Sequence, residues 1–308
     1  MTLFEIKSAA VKKLTGAGFL TPNLDADCLL QYLLKKDKTF ILLNRDLPLS
    51  EHQISDFNNL IEQRMTGLPV AYITGKKEFF GIEFFVTPDV LIPKPDTEIL
   101  VEHALKKILD YEKKEISLAD VCTGSGCIGL SVLFNVNIKE KDSGKKINLV
   151  MTDLSPAALD VAKKNAENIF SDSKEKNKIE FLQGDLLCGK SGFDFILSNP
   201  PYVPHCEVEK LLLDGRSEPR LALDGDIDFF VSRKSPETDD GLAVIRRLVP
   251  LAYNALNDGG IFLMESGEYQ AEDVRNLFCE AGFSETETLN DLSGQQRVTA
   301  GKKLRQKN

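Results

Sequence analysis

The sequence lacks the long apolar runs that mark membrane-spanning helices and secretion signals. None of its 308 residues falls in a stretch approaching the roughly 18 consecutive apolar residues that a membrane span needs. The N-terminal segment 1–20 mixes acidic, basic and apolar residues at helical spacing, without the apolar block and cleavage site of a signal peptide. We therefore expect a chain that works in the cytoplasm and has no membrane partner.

The sequence also lacks the cysteine patterns of disulfide frameworks and zinc sites. Its six cysteines include no Cys-x-x-Cys pair and show no Cys/His clustering of the zinc type. We expect free thiols in a reducing compartment and no bound metal.

An excess of positive charge is missing as well. The chain has 47 acidic and 38 basic residues, which gives a net charge of -9. Proteins that act on duplex DNA usually carry a basic face, because neutralising phosphates supplies much of their affinity. Although a local basic patch would escape this average, the charge argues against a nucleic-acid substrate.

The N-terminal quarter has the apolar spacing of amphipathic helices. Apolar residues recur at three- and four-residue steps over 24–33 and again over 54–65. Asn23 or Asp25 is expected to cap the first of these helices, and Ser50 the second.

The composition changes after these helices. Residues 76–92 become rich in β-forming residues around Gly81, which predicts a hairpin, and Pro93 and Pro95 then interrupt the chain before a further helix. The predicted layout is a helical N-terminal domain for substrate recognition at 1–75, a β-hairpin linker at 76–95 and a larger domain at 96–308.

Strands and helices alternate in the larger domain. The amphipathic segments 155–169 and 241–257 are among those that separate the strands, and the polar segment 225–240 is predicted to be a loop. The alternation predicts βαβ units, a mostly parallel sheet and a Rossmann-like α/β fold. The predicted strands are 116–122, 147–152, 179–183, 193–198 and 260–265.

A glycine-rich turn follows the first of these strands and leads into a helix. Its glycines allow the backbone to approach a ligand that a β-carbon would push away. The next strand ends at Asp153, whose carboxylate can accept hydrogen bonds from both ribose hydroxyls of an adenosine. On these residues alone NAD and S-adenosylmethionine fit equally well, because both present an adenosine ribose. The turn reads Thr123-Gly124-Ser125-Gly126-Cys127-Ile128-Gly129.

A second motif separates these two cofactors. The strand 193–198 ends in Asn199-Pro200-Pro201-Tyr202. An amide nitrogen is a poor nucleophile, because its lone pair is delocalised. The side-chain oxygen of Asn199 and a backbone carbonyl of the motif can each accept one of its two N–H groups. Both acceptors then stabilise the positive charge that grows on the nitrogen as it takes up a methyl group.

The other residues of the motif suit the same task. Pro200 restricts Asn199 to extended conformations, and neither proline has an N–H group that would interfere. The ring of Tyr202 offers a flat wall for a planar group. A dehydrogenase has no use for this arrangement. The sequence therefore predicts an S-adenosylmethionine-dependent methyltransferase that acts on a planar, amide-type nitrogen mainly by positioning it.

The chain resembles the HemK-type protein-(glutamine-N5) methyltransferases, which modify the glutamine of the Gly-Gly-Gln motif in peptide chain release factors. The resemblance extends over roughly residues 24–301. The tetrapeptide alone is shared with enzymes that methylate amino groups of DNA and RNA, whereas the block that ends in Glu98 and the segment EPRLALDGD are more specific. The matching segments are PVAYITGKKEFFGIEFFVTPDVLIPKPDTE, DVCTGSGCIG, TDLSPAALDVAKKNA, GDLL, NPPYVP, EPRLALDGD, GGIFLMESG and GFSETETLNDLSGQQRV.

The resemblance implies a seven-stranded Rossmann-like methyltransferase domain behind a helical domain that helps to hold the release factor. It places Asp185 near the adenine amino group of S-adenosylmethionine and Leu154 against the adenine ring. The cofactor would contact Thr123, Gly124, Ser125, Gly126, Asp153, Leu154, Asp185 and Asn199. The glutamine would contact Asn199, Pro200, Pro201 and Tyr202, of which Asn199, Pro200 and Tyr202 are the implied catalytic residues.

Two residues depart from the family pattern. Cys122 stands where the first loop glycine is usual, and Lys94 stands where arginine is usual. A cysteine fits there without strain only if its φ is negative. A lysine loses any bidentate contact that an arginine makes.

Four other functions stay open. A glutamine methyltransferase for a ribosomal protein shares the chemistry, and EPRLALDGD disfavours it only by resemblance. An adenine-amino DNA or RNA methyltransferase is opposed by the acidic charge. A catalytically silent binding module is opposed by the intact Asn199 and cofactor loop, and NAD-dependent oxidoreduction by the Asn-Pro-Pro-Tyr motif.

Overall fold

The computed structural model describes residues 1–139, 143–171, 178–213, 217–227 and 239–305. Most of the polar segment predicted as a loop at 225–240 lies outside these ranges. The chain forms two compact units, of which the first is built mainly from Met1–Lys76 and the second begins at Lys77. In the described ranges, no helix combines the length and apolar character that a membrane crossing requires.

The first unit consists of helices around a core that includes the fully buried Leu14, Leu30 and Phe57. Two of its helices match the predicted amphipathic segments. The side chain of Ser50 accepts a hydrogen bond from the backbone of Gln53, as the predicted cap requires. The helices are α1 (Leu3–Gly16), α2 (Pro22–Leu34), α3 (Lys38–Leu43), α4 (Glu51–Met65) and α5 (Val70–Thr74).

The predicted cap of α2 was wrong. The helix starts earlier, at Pro22, with Thr21 as its N-cap residue. Proline suits the first helical position, because its φ is already helical and its missing N–H would have no partner there. Asp25 is instead buried, and it accepts hydrogen bonds from Arg64 at 2.7 Å and from Thr21 at 2.8 Å.

The second unit opens with a hairpin of β1 (Lys76–Phe79) and β2 (Ile82–Phe85). Phe79 and Phe84 pack edge to face and are fully buried in a core of this unit. Since the hairpin contributes to that core, we propose that it is part of the catalytic unit and not a linker.

The centre of the second unit is a seven-stranded sheet. Its order is β5-β4-β3-β6-β7-β9-β8, with β3 to β7 parallel and β9 antiparallel to both neighbours. This confirms the Rossmann-like α/β prediction and its five strands. The strands are β3 (Glu115–Val121), β4 (Lys146–Asp153), β5 (Lys178–Gln183), β6 (Phe193–Ser198), β7 (Leu256–Glu265), β8 (Ser284–Asn290) and β9 (Gln296–Lys302).

Two hydrophobic cores involve residues that alternate along the strands. Phe195 and Leu197 of β6 belong to one core, whereas Ile196 belongs to the other. The first core includes residues of α6, α7 and α8, and the second includes residues of α10 and α11. The helices of this unit are α6 (Glu98–Asp110), α7 (Cys127–Phe134), α8 (Pro156–Ile169), α9 (His205–Leu213), α10 (Ala243–Ala255) and α11 (Ala271–Ala281).

The strand order reverses beside β3. The chain runs outward from β3 through β4 to β5, and then returns to the other side of β3 with β6 and β7. In open α/β sheets, ligands bind beyond the carboxyl ends of the strands at such a reversal. The topology therefore brings the ends of β3, β4, β6 and β7 to one edge of the sheet.

Candidate active site

A cavity of about 240 Å³ lies at this edge of the sheet. The structure brings most of the predicted site residues to its wall. Gly126, Pro200 and Tyr202 are the predicted residues outside the lining. Those that line it are Thr123, Gly124, Ser125, Asp153, Leu154, Asp185, Asn199 and Pro201.

The first two glycines of the turn serve different purposes. Gly124 has a φ of +54°, and a β-carbon there would have no atom within 4 Å, so the backbone faces open space. Gly126 has a φ of +82°, and a β-carbon there would come within 2.9 Å of the side chains of Leu130 and Met151. Gly124 therefore exposes backbone to a ligand, whereas Gly126 allows the turn to pack on the core.

A buried carboxylate beneath the turn was missed by the sequence interpretation. Asp120 accepts hydrogen bonds from the Thr123 hydroxyl at 2.6 Å and from the Gly129 amide at 2.9 Å. A β-carbon on Gly129 would lie 2.9 Å from the same carboxylate oxygen, which explains the third glycine. Burial raises the pKa of Asp120 to about 6. The available signal was a carboxylate between the apolar residues Ala119 and Val121 of β3.

Asp153 is held at the cavity wall by backbone amides. One of its oxygens accepts from Gly124 N at 2.9 Å and the other from Ser155 N at 2.9 Å. Burial raises the pKa of Asp153, and these amides oppose the rise. Since a carboxylate oxygen can accept more than one hydrogen bond, both oxygens keep acceptor capacity for a ligand.

The cavity wall suits a cationic nucleoside better than a pyrophosphate. Asp153 and Asp185 both line it. The described cationic side chains in the wall are Lys94, which pairs with Glu218, and Arg247, which pairs with Asp185. Asp153 has no cationic partner among the described residues, so a pyrophosphate would lie near an uncompensated carboxylate, while a sulfonium would be attracted to it. The residues therefore fit S-adenosylmethionine, and the ambiguity with NAD is resolved.

The side chain of Asn199 is held by a hydrogen bond to Thr97. Its Nδ2 donates to the Thr97 hydroxyl at 3.2 Å, and no described residue donates to its Oδ1. The residue before it, Ser198, donates from its hydroxyl to the Val121 carbonyl at 2.7 Å and so ties the end of β6 to the end of β3. Asn199 is thus positioned in the wall with an amide oxygen available to an N–H donor.

Tyr202 does not line the cavity, although the sequence suggested a flat wall there. Its hydroxyl donates to Glu265 at 3.1 Å, and its carbonyl accepts from Gln270 at 2.9 Å. Burial raises the pKa of the Tyr202 hydroxyl and raises the pKa of Glu265 to about 6. Glu265 was also missed, although its place at the end of an apolar strand was a signal of the same kind as for Asp153.

Two further segments that the family resemblance had singled out complete the wall. Glu218 accepts from Lys94 at 2.6 Å and from Ile92 N at 3.4 Å, so it fixes both residues. The lysine makes this single side-chain contact where an arginine would offer a second donor. Residues of the second segment in the wall are Pro219, Leu221 and Ala222.

Cys122 adopts the conformation in which a cysteine is strained. Its φ is +59°, in the left-handed region that favours glycine. Burial raises the pKa of its thiol, so it stays protonated. The six cysteines are free thiols, and the described residues contain no group of three or more His, Cys, Asp or Glu side chains arranged to hold a metal ion.

Two family models match the chain in separate regions. The PrmC N-terminal domain matches residues 5–75, and the methyltransferase small domain matches residues 95–237. Among solved structures, the hMettl16 catalytic domain in complex with MAT2A 3′UTR hairpin 1 has a TM-score of 0.52 at 14% identity. It covers 90% of this chain and 91% of that chain, which shows a shared fold.

Curated relatives match nearly the whole chain. A release factor glutamine methyltransferase of Clostridium acetobutylicum is 37% identical, with 95% of each chain covered. Relatives with the same name from Moorella thermoacetica and Escherichia coli are 34% and 33% identical, and they cover 96% and 92% of this chain and 97% and 92% of their own. The chain therefore belongs to the release factor glutamine methyltransferase family.

Proposed function

We propose that this chain transfers a methyl group from S-adenosylmethionine to the side-chain amide nitrogen, N5, of the glutamine in the Gly-Gly-Gln motif of peptide chain release factors. The observation that carries the proposal is the orientation of Asn199, whose amide oxygen is left without a described donor in the wall of a cofactor-type cavity. Full-length relatives named release factor glutamine methyltransferase support the choice of substrate.

The proposed cofactor contacts follow from the donors and acceptors in the wall. Asp153 accepts from the ribose hydroxyls and Asp185 from the adenine amino group, while Leu154 packs on the adenine ring. Thr123, Gly124 and Ser125 lie along the remaining wall, with Gly126 and Asp120 shaping the turn from below.

The proposed acceptor site works by positioning. S-adenosylmethionine supplies an electrophilic methyl group, and the chain has to aim a delocalised amide nitrogen at it. Asn199 Oδ1 and the Pro200 carbonyl accept the two N–H groups of the glutamine and oppose the positive charge that develops on its nitrogen. Pro201 forms part of the wall. Tyr202 lies outside the wall, and its hydroxyl donates to Glu265.

The methylated nitrogen needs no strong base in this scheme. While it carries both the new methyl group and its two protons it is acidic, so a proton leaves readily to water. Cys122 does not serve as a base or nucleophile, because its thiol is kept protonated by burial. The chemical task of the chain is therefore orientation and charge stabilisation.

The setting of the reaction follows from the same proposal. We place it in the cytoplasm, where the six free thiols are stable. The helical domain at 1–75 is proposed to help hold the release factor, and neither a nucleic-acid substrate nor a membrane partner is expected.

Labelled methyl transfer to a purified release factor tests this function. The matched control is the same factor with asparagine in place of the glutamine of its Gly-Gly-Gln motif. We expect label on the wild-type factor, on that glutamine, and none on the control. Equal labelling of the control would overturn the proposal, and so would transfer to a ribosomal protein or a nucleic acid but not to the factor.

A further inference from the structure

Gln270 is a buried amide side chain in the 3₁₀ turn between β7 and α11, with 2% of its surface exposed. Its Oε1 accepts a hydrogen bond from Gly267 N at 2.9 Å. Its Nε2 donates to the carbonyls of Tyr202 at 2.9 Å and Asp240 at 2.7 Å. One N–H group and two carbonyls therefore surround this amide, and they determine which end carries the oxygen.

The Tyr202 carbonyl that Gln270 holds is the last group of the Asn-Pro-Pro-Tyr segment. At the other end of the segment, the Ser198 hydroxyl donates to the Val121 carbonyl at 2.7 Å. The two prolines between these contacts have φ restricted to about −65° by their rings. Since both ends are held and two φ angles are restricted, few backbone torsions remain that could turn the Pro200 carbonyl.

Two glycines allow the chain to pack closely around the same backbone. A β-carbon on Gly241 would lie 2.1 Å from the Tyr202 oxygen, and one on Gly225 would lie 2.8 Å from the Tyr202 Cα. Gly225 N donates to the Val203 carbonyl at 3.0 Å, and Val203 N donates to the Leu223 carbonyl at 2.8 Å. These contacts leave the backbone of Tyr202 and Val203 little room to move.

We propose that Gln270 is a positioning residue for methyl transfer, which fixes the spacing between the two acceptors of the substrate amide. Those acceptors are Asn199 Oδ1 and the Pro200 carbonyl, so this inference rests on the proposed function. Gln270 is not among the residues that line the cavity, and it acts through the Tyr202 carbonyl. Because both acceptors hold one NH₂ group, an error in their spacing weakens the contacts that oppose the charge on the nitrogen.

Two substitutions remove the donors of Gln270. Gln270→Met keeps most of the volume, whereas the ionised side chain of Gln270→Glu keeps the shape and the oxygen that accepts from Gly267 N. Positioning predicts that each variant loses about tenfold or more in kcat, since small displacements of reacting groups are costly, with KM for S-adenosylmethionine unchanged. Calorimetric titration with S-adenosylmethionine counts the folded sites. The value of kcat is expressed per site, so that partial unfolding does not imitate the effect.

Asn135, which follows α7, provides the matched control. Its side chain is also a buried amide of the catalytic unit, and its Nδ2 donates to the Ser131 carbonyl, one helical turn earlier, at 2.8 Å. Asn135→Leu should lower the free energy of unfolding and leave kcat per site at the wild-type value. A loss of kcat equal to that of Gln270→Met would overturn the inference, because any buried amide of the unit would then matter equally.

Coupling to Asn199 separates positioning from a general effect of destabilisation. The spacing between two acceptors matters only while both are present. In an Asn199→Ala background, Gln270→Met should therefore reduce kcat by a smaller factor than in the wild-type background. Equal factors in the two backgrounds would overturn the inference.

The outcomes also distinguish this inference from the proposed function. A wild-type protein that binds S-adenosylmethionine but does not methylate the release factor glutamine defeats the proposed function. A wild-type protein that methylates it, with both Gln270 variants at the wild-type kcat per site, defeats the positioning role alone.

Discussion

At the scale of single residues, Asp153 is the polar side chain on which the proposed cofactor affinity depends most. Backbone amides hold it in the cavity wall. Asp153→Ala removes the acceptor of both ribose hydroxyls and should weaken S-adenosylmethionine binding about tenfold or more, since hydrogen bonds to charged groups are the stronger ones. Titration calorimetry measures this. Asp160→Ala on the exposed face of α8 is the matched control and should bind normally; an Asp153 variant that does the same would remove Asp153 from the pocket.

Cys122 provides a second test at this scale. A β-carbon at a φ of +59° lowers the free energy of unfolding by about 1–2 kcal/mol. Glycine removes this strain, but it also increases the conformational entropy of the unfolded chain, which offsets part of the gain in stability. Cys122→Gly should therefore be about 0.5–1 kcal/mol more stable to unfolding than Cys122→Ala, which keeps the strained β-carbon. Urea unfolding of the two variants measures the difference. A more stable alanine variant would show that the backbone there is not strained.

The residues that could be predicted from the sequence are those that local motifs mark. Asp153 ends the strand after a glycine-rich turn, and Asn199 begins a recognisable tetrapeptide. Thr97 lies far from Asn199 along the chain, and Glu265 lies far from Tyr202, and only the fold brings each pair together. The sign of φ at Cys122 also depends on the turn as folded, so the sequence raised the question of strain without answering it.

At the scale of secondary structure elements, one side chain joins three parts of the site. Asn165 of α8 is fully buried; it accepts from Phe85 N at 2.7 Å and donates to the carbonyls of Phe85 and Ser125, each at 2.9 Å. It therefore links the hairpin to the cofactor turn.

Removing this link should be costly. Asn165→Ala leaves three backbone groups without partners and should lower the free energy of unfolding by about 3 kcal/mol or more, with weaker S-adenosylmethionine binding. Asn168→Ala, on the exposed side of the same helix, is the control and should change stability by less than about 0.5 kcal/mol. Denaturant unfolding compares them, and equal stabilities would contradict the bracing role.

Asp120 of β3, which accepts from the Gly129 amide of α7, makes the free energy of unfolding depend on pH. The pKa of Asp120 rises from 3.8 to about 6 on burial, a difference worth about 3 kcal/mol. Because the pKa is raised in the folded state, the protonated form of Asp120 favours folding. Its contribution to stability is fully present below about pH 4 and is lost as the pH rises through 6. Relative to Asp120→Asn, wild-type stability should fall by about that amount from pH 4 to pH 7. Parallel unfolding curves for the two proteins across this range would contradict it.

Elements with strong apolar patterns were predicted well, and those that depend on pairing were not. The five parallel strands carry apolar residues in runs or in alternation and lie between helices, which is why the sequence located them. Strand β8 reads Ser-Glu-Thr-Glu-Thr-Leu-Asn and has little apolar alternation, so its strand conformation comes from pairing with β9. The start of α2 was placed too late, because Pro22 was not recognised as a first helical residue.

At the scale of the catalytic unit, the cavity is divided between two halves of the sheet. The ends of β3 and β4 supply the turn and Asp153 for the cofactor, and the end of β6 supplies Asn199. These two groups of strands lie apart in the sequence, and the fold brings their carboxyl ends to one edge of the sheet. Cofactor binding and methyl transfer should therefore be separable by substitution.

Asn199→Ala tests this most directly, because it removes the amide oxygen and leaves the cofactor half intact. In one preparation of the variant, S-adenosylmethionine affinity is measured by calorimetry and the rate of methyl transfer to the release factor by label incorporation. We predict an affinity within about threefold of wild type and a rate reduced about a hundredfold or more, as when a preorganised transition-state contact is removed. A near-normal rate, or loss of cofactor binding with an unchanged rate for bound enzyme, would contradict the assigned role.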